Sequence, residues 1–254
     1  MHISKTFNHL WGVLGLSFSL AKANFKLRIE GSYLGILWYL LDPLLLFLIL
    51  YVVFGNNLGA QIPHFPLYLI WGLILFNFFS TVTTQATLVI SGSGAFIKSM
   101  KINISSLIIS TLIQTIFSHF FELIIFLIFM AYFRMPLIGL LAYPIVFIFF
   151  AMFTLGLSFI LATIGVYTAD LNNVWKAFTQ ALFFATPIFY LAPKTWAFIW
   201  NPMYYFLGIS RDLLIYNRLP QLEMVIITII FSVGTLIVGY LIFNKYHKYF
   251  AEHV

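Results

Sequence analysis

The chain has 254 residues, of which 62% are hydrophobic and only 8% charged, far below the roughly 25% charge of an average soluble domain, and this excludes a soluble globular protein. Its formal charge of +6 comes from basic residues distributed by membrane side and not gathered on one face, so anionic lipid headgroups are the expected counter-charge and no nucleic-acid partner is expected. Without cysteine there is no disulfide or thiolate metal site, and six scattered histidines lack ligand spacing; no metal or cofactor is expected on this chain.

Residues 1–33 read as an N-terminal cytoplasmic interfacial segment. His2, Lys5, His9, Lys22, Lys26 and Arg28 alternate there with Phe7, Leu10, Trp11, Leu14, Phe18 and Phe25, a basic and aromatic mixture suited to the headgroup layer. The apolar run 10–21 covers about 18 Å as a helix, too short to span.

Residues 34–254 are expected to form one all-α transmembrane domain of six spans, at 34–54, 67–90, 107–132, 137–167, 174–191 and 224–243, ending in a basic tail. Gly31, Gly35, Trp38 and Asp42 fall at steps of four, three and four, so a continuous helix would stack them on one face where another backbone could approach. That face should point at protein, because an aspartate at mid-bilayer costs roughly 2.5–3.5 kcal/mol on insertion scales. Phe47, Tyr51 and Phe54 share another face of the first span, and their rings offer flat apolar surfaces for the CH faces of sugars.

The third span carries Ser106, Ser110, Gln114, Ser118 and Glu122 at steps of four, with His119 one turn from Glu122. Such a stripe either lines a hydrophilic path, with Gln114 and Glu122 as its candidates, or serves as interhelical glue. Ala151, Thr154, Ser158, Ala162 and Gly165 form a small-residue face on the fourth span. Residues 192–222 hold Pro193, Pro202 and Pro220 and should dip into the membrane as short re-entrant helices.

Nine Lys and Arg fall on one side of this arrangement and four on the other, so both termini are expected in the cytoplasm, in agreement with an even number of spans. No GxxxxGK[ST] is present and no catalytic constellation sits on a loop. If transport is ATP-driven, the ATPase is another chain.

Several stretches bear a family pattern. They are Arg28, Gly31, Ser32, Leu34, Gly35, Trp38, Leu41, Pro43 and Leu44; Phe96-Ile97-Lys98; Asp170-Leu171, with Ala169 in place of an arginine; Thr186-Pro187-Ile188 with Tyr190; and Asn201-Pro202 with Tyr204 and Arg211. With these the chain resembles the membrane subunits of type 2 ABC exporters that move O-antigen, capsule and teichoic acid chains, over nearly its whole length. The resemblance implies a homodimer in the inner (cytoplasmic) membrane, paired with two ABC ATPase subunits that hold the ATP and Mg, and a lipid-linked polysaccharide as cargo. It implies ATPase coupling at Phe96, Ile97, Lys98 and Asp170, and outer-side gate helices around Pro187, Tyr190, Asn201, Pro202 and Arg211. Gly31, Gly35 and Trp38 are the candidates for the dimer or packing face. The alternatives are a small-molecule or drug exporter, and an integral membrane transferase for which only the isolated Asp170, Asp212 and Glu223 offer loop carboxylates.

Overall fold

The computed structural model describes residues 2–30, 33–99, 102–192 and 200–253. Among these the chain is all helical, with no strand. Helix α1 (His2–Glu30) is one continuous 29-residue element, so the apolar run 10–21 is the middle of a longer helix. Its residues Val13, Ser17 and Ala21, at steps of four, are buried and face α5 (Ser105–Tyr132). Phe18 and Phe25 meet Phe117 edge-on, each with ring centroids 5.7 Å apart, while Trp11 and Leu14 stay exposed. A helix with one face on protein and an apolar outer face suits the membrane interface.

Helix α2 is Trp38–Phe54, preceded by a 3-10 turn at Gly35–Leu37. Gly35 has φ of +47°, a left-handed conformation that glycine adopts without the steric cost of a Cβ and that ends helical continuity. The continuous face expected through Gly35, Trp38 and Asp42 therefore does not form, because the helix begins only after the turn; Gly31 lies outside the described residues. Asp42 is exposed on the surface of the protomer rather than turned into it.

Helix α3 (Phe65–Val89) is the hub. Every residue from Leu67 to Phe76 is buried, as expected of a helix that is apolar on all sides and surrounded by neighbours; α2, α5, α6 (Tyr143–Tyr167), α7 (Leu171–Ala185) and α8 (Pro202–Leu214) all pack on it. A six-residue helix, α4 (Gly94–Ser99), links α3 to α5. The chain continues with α9 (Leu222–Tyr246) and, beyond a 3-10 turn, with α10 (Phe250–His253).

The most extensive pairing is α6 with α9. At its centre a Cβ on Gly239 would overlap the carbonyl of Gly156, and a Cβ on Gly156 would overlap the backbone of Thr235. The two backbones touch, which is how membrane helices gain dispersion contact where lipid supplies no hydrophobic drive. Thr154, Ser158, Ala162 and Gly165 of the small-residue face are buried as well.

Helices α3, α5, α6 and α9 run 25 to 28 residues, about 37–42 Å, enough to cross a hydrocarbon core of about 30 Å. Helices α2 and α7 have 17 and 15 residues, about 22–26 Å, and are shorter than the spans expected at their positions. The short α8 lies where broken helices were expected between the fifth and sixth spans; Pro193 is outside the described residues.

Candidate functional site

Helix α7 stops at Ala185, and the next five residues leave helical geometry while Thr186 to Phe189 remain buried. Buried backbone without a helix needs outside partners, and α8 supplies them. Asn201 caps α8 by accepting from the Met203 N–H at 3.0 Å, while its amide donates to the Ala185 carbonyl at 3.2 Å and to the Thr186 hydroxyl at 3.0 Å. Arg211, only 3% exposed, donates to the carbonyls of Pro187 at 2.7 Å, Ile188 at 3.0 Å and Tyr68 at 3.0 Å. Its guanidinium lies 3.3 Å from the centroid of the Tyr68 ring, a cation–π arrangement strengthened by exclusion of water. Tyr68 closes the set by donating toward the carbonyls of Pro187 and Tyr190 at 3.2 and 2.9 Å. Pro187, Tyr190, Asn201, Pro202 and Arg211, scattered in sequence, thus converge on one clamp, and Tyr68 is the member that sequence reasoning missed.

Beside the clamp, α2, α3 and α7 enclose an open groove of about 370 Å³ lined by Leu46, Leu73, Phe76, Asn77, Ser80, Thr179, Gln180, Phe183 and Phe184. Its wall combines three phenyl rings with two carboxamides and hydroxyls. Phe76 and Phe183 meet edge-on, with centroids 5.3 Å apart. Asn77 is exposed in a helix otherwise buried at that depth, and Ser80, Thr81 and Thr84 follow it at helical spacing, partly exposed. Asp42 stands one turn before Leu46 on α2 and so shares that helix face. The signal was legible: the polar residues of α3 recur every three or four positions, and Lys176 and Gln180 do so on α7.

Behind Asn77 lies a buried chain of polar groups. The Asn77 amide donates to Glu122 Oε1 at 2.6 Å, Glu122 Oε2 is 3.2 Å from His119 Nδ1, and His119 Nε2 is 2.6 Å from the Tyr143 hydroxyl. Glu122 and His119 are 3% and 2% exposed. Gln114 and the serines of the stripe are buried too, and Ser110 and Ser118 bond to their own backbone while Ser106 bonds to Val13 of α1. The stripe therefore faces the interior of the protomer, and only Glu122 reaches the groove, through Asn77.

Phe47, Tyr51 and Phe54 occupy other positions. Phe47 is buried, stacks on Tyr51 at 5.6 Å and meets Phe129 edge-on at 5.1 Å, while Phe54 stacks on Phe189 at 4.8 Å. Phe47 and Tyr51 border a second groove, between α2 and α5, with Pro66, Ile128, Phe129, Tyr132 and Phe133. The three aromatics brace α2 against its neighbours and do not line the Asn77 groove.

Residues 16–215 match the family described as ABC-2 type transporter. The chain belongs to this family. It is a multi-pass membrane permease of the transport class, not an enzyme. It is 28% identical over 253 residues, 96% of its length and 97% of the relative's, to the O-antigen export system permease protein RfbA of Myxococcus xanthus. It is 30% identical over 251 residues, 94% and 96% of the two chains, to the protein of the same name from Klebsiella pneumoniae. The polysialic acid transport protein KpsM of Escherichia coli is 22% identical over 223 residues, 84% of this chain and 86% of that one.

At the opposite end of the permease from the clamp, α4 presents Lys98 exposed with Phe96 and Ile97 half-buried. Ile97 packs on a small core of Ile90, Ile108, Phe159, Ala162, Phe243 and Phe250, and α10 also touches α4 and α6. Asp170 is exposed in the turn between α6 and α7. The end of α6 is tied to the same region by Tyr167, whose ring is 4.9 Å from that of His253.

Proposed function

We propose that this permease moves a lipid-linked polysaccharide across the cytoplasmic membrane, working as a homodimer with two separate ABC ATPase subunits. The observation that carries the reading is the groove: aromatic faces stack on the CH faces of sugars while Asn77, Ser80 and Gln180 exchange hydrogen bonds with hydroxyls. Many weak, similar contacts let a polymer advance without being held at one tight site. The names of the relatives support a glycan cargo.

Exposure of Asp42 supports the dimer. A carboxylate on a membrane helix is not stable against lipid tails, so this face requires protein or water, and a second copy related by a two-fold axis would bring both to it. The basic residues around α1, α4 and the C-terminal tail support a cytoplasmic position for that end. Phe96, Ile97, Lys98 and Asp170 would then meet the ATPase, which holds the ATP and Mg. The clamp of Arg211, Asn201, Pro202, Pro187 and Tyr190 would stand on the outer side as the gate.

The test fills the groove. Ser80→Trp and Gln180→Trp, with the outward-facing Ile145→Trp of α6 as control, are compared for surface glycan amount and length beside ATP turnover. The groove variants should lower export several-fold with the complex still assembled. Unchanged glycan together with lost resistance to a small toxic compound would overturn the reading in favour of a drug exporter.

A further inference from the structure

The groove carries information about the charge of what passes. As a carboxylate, Glu122 can only accept hydrogen bonds. The group facing it from Asn77 at 2.6 Å must therefore be the amide N–H, and the second carboxylate oxygen takes a donor from His119 Nδ1 at 3.2 Å. That leaves His119 Nε2 to accept from the Tyr143 hydroxyl at 2.6 Å. Donors thus converge on Glu122 from both sides, and this sets the amide with its nitrogen inward and its carbonyl oxygen toward the groove. Thr81, at 3.4 Å, is the nearer donor to that oxygen within the protein, a long bond that leaves acceptor capacity free.

The other lining residues are uncharged, and the nearest acidic group on α2 stands one turn outside the lining. Asp42 adds an exposed carboxylate on the face of α2 that also presents Leu46. Among the described residues lining the groove there is no Lys, Arg or His. The nearest basic residue on α7 is Lys176, one turn below Gln180 toward the end that also carries the exposed Asp170. In a two-fold dimer the partner copy would repeat this pattern, because both subunits present the same surface.

We propose that the groove selects uncharged glycans and rejects polyanionic ones, with Glu122 as a positioning residue that aims the Asn77 carbonyl at the chain and Asp42 as the like charge that repels acid groups. This rests on the reading of the groove as the glycan path and adds the substrate class. An uncharged sugar donates its hydroxyls to Asn77 and stacks on Phe76, Phe183 and Phe184. An acid sugar in every residue would place carboxylates against Asp42 and the Asn77 oxygen in a water-poor passage, where like-charge juxtaposition is costly.

The experiment uses the permease–ATPase complex in phosphatidylcholine nanodiscs, whose lipid has no net charge. Two probes of equal length, maltoheptaose and a heptamer of sialic acid, each carry a benzophenone, and photo-crosslinks to α3 and α7 are quantified by mass spectrometry. The uncharged probe should label at least about tenfold more than the anionic one. Asp42→Asn should narrow that ratio to about threefold, and adding Glu122→Gln should bring it within about twofold, with the change read chiefly as a rise in labelling by the anionic probe. Asp42 is exposed, so its variant keeps the test alive if the buried substitution fails to fold. Equal labelling by both probes in the native protein, or a ratio that neither variant moves, would overturn the charge selection while leaving the path reading intact. Absence of labelling on α3 and α7 by either probe would overturn both.

Discussion

Replacing Arg211 by Met tests whether the clamp holds the broken end of α7. The Pro187 carbonyl would keep the Tyr68 hydroxyl as a donor at 3.2 Å, and the Tyr68 carbonyl, inside α3, would keep its helical partner. Ile188 O is the acceptor left bare, at about 1–3 kcal/mol for a buried unsatisfied group. Loss of the guanidinium over Tyr68 adds about 2 kcal/mol at a dry site. Against this stands relief of the desolvation of a buried cation, which in real proteins amounts to several kcal/mol per ion before its partners compensate. With the carbonyls and ring offsetting most of that penalty in the native protein, the net loss of local stability should be about 2–4 kcal/mol, which is roughly 30- to 1000-fold faster amide exchange at one decade per 1.4 kcal/mol. The amide of Ile188, bonded to Thr186 O at 2.7 Å, is the reporter, read by hydrogen exchange of the peptide 183–192 in the detergent-solubilised protein. Arg211→Lys should fall between, since one ammonium cannot reach three carbonyls in a planar fork. Exchange in Arg211→Met equal to that of the native protein would refute the clamp.

Three further outcomes are expected. Gly239→Val forces a side chain into the Gly156 carbonyl, so α9 must separate from α6, and the melting temperature in detergent should fall by several degrees, whereas Gly234→Val, with open space around its Cα, should leave it unchanged. Single cysteines at Ser99 and Asn217, both exposed, should react with membrane-impermeant maleimide from opposite faces of sealed vesicles; labelling from one face would refute the orientation read from basic residues. Phe96→Asp combined with Lys98→Glu should abolish co-purification of the ATPase and export together while membrane insertion is retained, and survival of both would remove α4 from the coupling role.

The membrane class and helical content were legible in the sequence because hydropathy and length act locally: a run of about 20 apolar residues must become a helix in lipid, where every backbone group needs an internal partner. That is why the positions of α3, α5, α6 and α9 follow from the pattern alone. The family resemblance marked the clamp residues Pro187, Asn201 and Arg211 separately, but only packing brought them onto Tyr68, more than 100 residues earlier in the chain. Helix faces were the least legible feature. The face expected to join Gly35 to Asp42 was broken once Gly35 took a positive φ, a backbone choice that periodicity assumes away. The polar stripe of α5 and the polar face of α3 look alike as sequence, since both repeat hydroxyls and amides at helical spacing. Which of them is covered depends on where the neighbouring helices pack: α1 and α3 cover the first, while among the described residues Asn77 stays exposed. Burial is a property of the assembled bundle, so the polar spacing of α3 and α7 was legible, but that this face opens as a groove and that a carboxylate stands behind its wall were decided by tertiary structure.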